Sequence, residues 1–125
     1  MSLFDIFRSD RRKKFASMVV SLYRTVQASD PSASEKRLAE NAFGVLYDTS
    51  PMPRKAFLSL FGNKITNIYD LAYAIFDAEQ HVLGKGIFYH LSEEGLAYTK
   101  ESYQIIDMEL TRLGYPKPNN YERQI

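Results

Sequence analysis

The sequence predicts an all-α fold, a single-domain irregular bundle of about five helices. Three observations carry this reading. Apolar residues recur at spacings of three and four along most of the chain. Caps and breakers divide it into helix-sized segments joined by short loops. No pair of alternating strand patterns competes with them. The 125 residues fit one domain that can bury a core. The helical domain is expected over residues 1–115, with an extended or disordered tail over 116–125.

Ser2 to Arg8 is a short amphipathic segment. At 100° per residue Leu3, Ile6 and Phe7 share one face, with Phe4 at its edge. Continuing the same helix would set Arg11 and Lys14 on that apolar face. A break is therefore expected at Ser9-Asp10, where Asp10 can cap the next helix. That helix runs from Arg11 to Ala28 with a stripe of Phe15, Met18, Val19, Leu22 and Val26. Arg12, Lys13, Arg24 and Gln27 take its polar face, and Asp30-Pro31 stops it.

The following helix starts at Ser32 or Ser34 and reaches Asp48. Ser32 and Glu35 have capping-box spacing. Its stripe is Leu38, Ala42, Val45 and Leu46, with Phe43 beside it. After the loop Thr49–Pro53, a short helix is expected from Pro53 to Phe61. Asn67 caps the next helix, Ile68 to Leu83. Its start is apolar on nearly all sides, so it is the expected central, most buried element, ended by Gly84. Lys85 to Leu91 is a connector of ambiguous type. Ser92 caps the last helix, which carries Leu96, Tyr103, Ile106, Leu110 and Leu113 and closes at Gly114 and Pro116.

Charge is nearly balanced overall, at +1, yet unevenly spread. Residues 1–37 are net +4 and residues 38–125 net −3, with −6 concentrated in 65–109. That pattern does not suit a nucleic-acid binder, and nucleic acid is not an expected partner. The absence of cysteine excludes disulfides, thiolate metal sites and a cysteine nucleophile. Met1 to Phe7 is too short for a signal-peptide apolar stretch, and no apolar run approaches a membrane span. The expected location is the cytoplasm, with a membrane-peripheral alternative.

Catalytic motifs are not legible, and no catalytic residue or cofactor is assigned. Asp77 and His81 lie one helical turn apart, and His90 follows across the connector with Glu93 and Glu94. These are weak metal candidates, because their spacing matches neither a His-Glu-x-x-His nor a paired Glu-x-x-His pattern. Gly84-Lys85-Gly86 follows a helix rather than a strand and reads as a helix end rather than a phosphate loop. Asp70, within the apolar run, reads as a capping carboxylate. Asp107 and Glu109 sit beside the last helix's stripe and read as solvated charges.

The expected function is a small helical protein–protein interaction module: an adaptor, regulator or accessory subunit, and a dimer. Tyrosines off the stripes motivate it (Tyr47, Tyr73, Tyr89, Tyr98, Tyr115 and Tyr121), since tyrosine suits interfaces. The expected contact surface is the last helix with its preceding connector, at Phe88, Tyr89, Tyr98 and Tyr103. The alternative is a peripheral membrane protein. Phe4 and Phe7 would insert, and Arg8, Arg11, Arg12, Lys13 and Lys14 would face an anionic surface. An enzyme or metal-binding protein is the third reading.

Overall fold

The computed structural model describes residues 3–47, 60, 65–82, 84–85 and 92–118, with side chains described from Arg12 onward except that of Val82. The expected Pro53–Phe61 helix, most of the 85–91 connector and the end of the tail lie outside the described residues. Among the described residues there are four helices and no strand: α1 (Leu3–Ser29), α2 (Glu35–Leu46), α3 (Ile68–Val82) and α4 (Glu93–Arg112). The all-α bundle is as expected; four helices fall among the described residues, against about five expected for the whole chain.

Hydrogen-bond partners fix the directions. Arg12 bonds to residues 101 and 102, and Arg24 to residues 113 and 115, so α1 and α4 run parallel. Tyr69, Tyr73 and Asp77 on α3 meet Thr111, Asp107 and Tyr103 on α4 in reverse order, so those two run antiparallel. Tyr47, just past α2, reaches Glu79 near the end of α3, and a five-residue turn joins α1 to α2. The topology is up-down-down-up.

The expected break at Ser9-Asp10 is not present: α1 is one helix of 27 residues, about 40 Å long. The break is expected because a continuous helix would bring Arg11 and Lys14 onto the apolar face of Leu3, Ile6 and Phe7; in the continuous helix Lys14 is exposed. Arg12 is buried, bonded to Ser102 and Glu101 on α4, so it does not occupy the expected polar face. The buried face of α1 is Arg12, Ala16, Val19, Val20 and Tyr23, while Met18 from the expected stripe is exposed.

α2 begins where Ser34, not Ser32, accepts a hydrogen bond from the Arg37 backbone N–H. Its buried side is Leu38, Ala39, Ala42, Phe43 and Gly44, and Val45 faces outward. α3 is the core helix: residues 68–78 are all buried. Its start is doubly tied. Asn67 Oδ1 accepts from the Asp70 N–H, and the Asp70 carboxylate accepts from both the N–H and the hydroxyl of Thr66. Asp70 is thus the capping carboxylate its spacing suggested. Ser92 caps α4 through the Gly95 N–H at 2.9 Å. Gly84 and Gly114, at φ of 87° and 102°, end α3 and α4 in a conformation that side-chain-bearing residues rarely adopt.

Val19, Phe43, Leu71, Ile75, Ile106 and Leu110 are fully enclosed where the four helices meet. Aromatic rings extend this core, with Phe15 edge-on to Phe76 and Tyr73 stacked on Tyr103 at 4.3 Å.

Candidate functional site

The polar chemistry of the protein is concentrated between its helices. Positions 69, 73 and 77 fall on one side of α3, one turn apart, and positions 111, 107 and 103 do the same on α4. The antiparallel packing turns them into three rungs. The Tyr69 hydroxyl lies 2.9 Å from that of Thr111. The Tyr73 hydroxyl donates to Asp107. The Tyr103 hydroxyl donates to both oxygens of Asp77, at 2.7 and 2.9 Å. The donor thus switches helix between the second rung and the third.

Burial first, and the Asp107 carboxylate next, raise the Tyr73 pKa above the ordinary tyrosine value. Burial likewise raises Tyr69, and burial with the Glu79 carboxylate raises Tyr47. These phenols stay protonated and act as donors. Lys117 Nζ, 2.9 Å from Asp107, closes the middle rung from the segment after α4. Asp107 is therefore half-buried and engaged rather than the solvated charge expected. Glu109 is also buried, and both Nε and Nη2 of Arg112 meet its carboxylate, at 2.9 and 2.8 Å.

A second junction ties α1 to α4. Arg12 Nη1 donates to Ser102 Oγ at 3.1 Å, and Nη2 lies 3.2 Å from Glu101. The guanidinium also sits 5.4 Å from the centre of the Tyr98 ring. At the other end, Arg24 Nε donates to the Tyr115 hydroxyl, and the Tyr115 ring packs edge-on against Tyr23.

The expected site residues are dispersed by this arrangement. Tyr103 is in the core, stacked and hydrogen-bonded, so it leaves the contact surface proposed for it. Tyr98 is half-buried under Arg12, and Phe88 and Tyr89 lie outside the described residues. Four of the tyrosines that motivated an interface now have intramolecular roles. Tyr47 and Tyr73 are buried, and Tyr98 and Tyr115 are packed against the core. Asp77 holds Tyr103, while His81 is half-buried in the last turn of α3; His90 lies outside the described residues. Among the described residues no three metal-ligating side chains come together. Of the basic cluster, Lys13 and Lys14 are exposed and Arg12 is withdrawn into the bundle. The side chains of Phe4, Phe7, Arg8 and Arg11 are outside the description. No described helix is long and apolar enough to cross a membrane.

One surface feature was missed by sequence reasoning. The outward side of α4 carries an open, shallow depression of about 440 Å³, lined by Asp107, Met108, Thr111 and Arg112. Met108 is 72% exposed there. The signal was available: Met108 is an apolar residue opposite the helix's own stripe.

No family model matches this chain, and neither a curated protein nor a solved structure does.

Proposed function

We propose that the protein is a helical protein–protein interaction module whose contact surface is the outward side of α4. The exposed Met108 within its depression carries this reading. Methionine and arginine are enriched in interfaces, and a flexible thioether fits irregular partner surfaces. Arg112 supports it: Glu109 holds its guanidinium by two nitrogens, so less side-chain freedom is lost on contact.

The test compares the wild-type chain with Met108→Glu and Arg112→Glu as bait in a lysate of the source cells. Sedimentation velocity across a concentration series runs in parallel. The expected result is one stoichiometric partner, or a self-associated species, that both variants lose while their helical circular dichroism is unchanged. A chain that stays monomeric at high concentration and retains no partner refutes the proposal. So does a partner retained equally by both variants.

A further inference from the structure

The side of α4 turned away from the bundle has a definite charge order. Counting at about 100° per residue, exposed Ala97, Gln104 and Met108 fall along its middle, opposite buried Thr99, Ile106 and Leu110. One flank carries Glu94, Glu101 and Arg112. The other carries Glu93, Lys100, Thr111 and half-buried Asp107. The acids of the first turn and Arg112 of the last turn thus stand at opposite ends. Arg12 already neutralises Glu101, and Lys117 meets Asp107. Glu109 holds Arg112, whose side chain nonetheless stays 63% exposed.

We infer that the contact surface proposed on α4, on which this inference rests, takes a second copy of the chain, the two α4 helices lying antiparallel about a two-fold axis near position 103. Such an axis brings each flank against the same flank of the other copy in reverse order. On the first flank Arg112 then comes level with Glu94 of the second copy. On the other, Lys100 meets Asp107, and along the middle Met108 meets Ala97, each within one residue's rise of about 1.5 Å. The depression between Asp107, Met108, Thr111 and Arg112 lies opposite Ala97 of the second copy, whose methyl group suits a shallow hollow. Gln104 comes near its own counterpart, where each amide can donate to the other. Glu93 comes nearest Thr111, a hydroxyl rather than a charge. A parallel pair in register would instead set Glu93 and Glu94 against their own copies and Arg112 against Arg112. Sliding the antiparallel pair by one turn toward the N-termini would oppose Glu101 to Glu101. Charge complementarity therefore selects this orientation and register. One face of a 20-residue helix is a small interface, so the dimer is reversible, with a Kd of roughly 1–100 μM.

The experiment is sedimentation velocity of the full chain from about 10 μM to about 1 mM, a range that spans the expected Kd. It is run on wild type, Arg112→Glu, Glu94→Arg and an equimolar mixture of the two variants. Each variant alone opposes like charges at both ends of the interface. In the mixture one chain carries acids at positions 94 and 112 and the other carries bases, so both pairs are again opposite in sign. The expected result is a wild-type dimer, weakened roughly tenfold or more in each variant alone and restored in the mixture, with helical circular dichroism unchanged throughout. Loss of the Arg112–Glu109 contact within one chain cannot produce that recovery. A wild-type chain that stays monomeric, a dimer indifferent to both variants, or a mixture no stronger than its components overturns the inference. The two readings fail separately. A monomeric wild type that captures a partner lost by Met108→Glu keeps α4 as a contact surface and removes only the second copy. A wild-type dimer indifferent to Met108→Glu as well removes the α4 surface itself.

Discussion

Replacing Tyr103 by Phe removes one oxygen from the centre of the bundle and leaves the ring stack with Tyr73 in place. The Asp77 carboxylate, only 4% exposed, then loses a donor that meets both of its oxygens. A hydrogen bond to a charged group contributes about 1.5–3 kcal/mol. For a domain of this size each kcal/mol corresponds to about 3–5 °C in Tm. Tyr103→Phe should therefore melt about 5–15 °C lower by circular dichroism at pH 7. Asp77→Asn in a double-mutant cycle should show coupling of about 0.5–3 kcal/mol. Tyr115→Phe is the control. Its hydroxyl accepts from Arg24 in an exposed setting, so its cost should stay near or below about 1 kcal/mol. A Tyr103→Phe protein as stable as wild type, or fully additive with Asp77→Asn, would show that this rung does not hold α3 to α4.

Two further outcomes follow from the buried polar groups. Tyr47, Tyr69 and Tyr73 have pKa values raised above 10 in the folded chain. Above pH ~10 the unfolded chain releases these protons while the folded one retains them, so their stabilisation is intact below that pH and lost as pH rises through it. Urea midpoints should fall steeply above pH ~10, and a flat profile to pH ~11.5 would refute the assignment. Thr99 is fully buried, and among the described residues its hydroxyl has no hydrogen-bond partner. Thr99→Val keeps the shape and removes that oxygen, so it should stabilise by about 1 kcal/mol or more in urea unfolding. Destabilisation would show that the hydroxyl is satisfied.

Helix ends were legible because their signals are local. Asn67 with Asp70, Ser92 with Gly95, and Gly114 before Pro116 each act within a few residues, and each operates as the spacing indicated. The central place of α3 was legible because residues 68–76, Asp70 apart, are apolar on nearly all sides of the helix. Periodicity misread the polar residues that pair across the bundle. Arg12 and Ser102 are 90 residues apart, and Asp77 and Tyr103 are 26 apart. Taken singly, each charge is better solvated than buried, and only its distant partner reverses that preference. The same blindness placed Arg12 on the polar face of its helix and moved Tyr103 to the surface. Met108 was passed over although its phase, opposite the last helix's stripe, sets it outside the core.

The rungs between α3 and α4 differ in chemistry, and their order distinguishes one alignment from its neighbours. Sliding α3 by one turn in one direction would oppose Asp77 to Asp107, two carboxylates without a proton between them. Sliding it the other way would set Tyr73 against Tyr103 and leave Asp77 facing Thr99. Apolar side chains at these positions would tolerate either shift, because one leucine contact resembles the next. The tyrosine–carboxylate pairs make each misalignment costly. They act as a directional key, allowing two helices of ordinary amphipathic character to close in a single position.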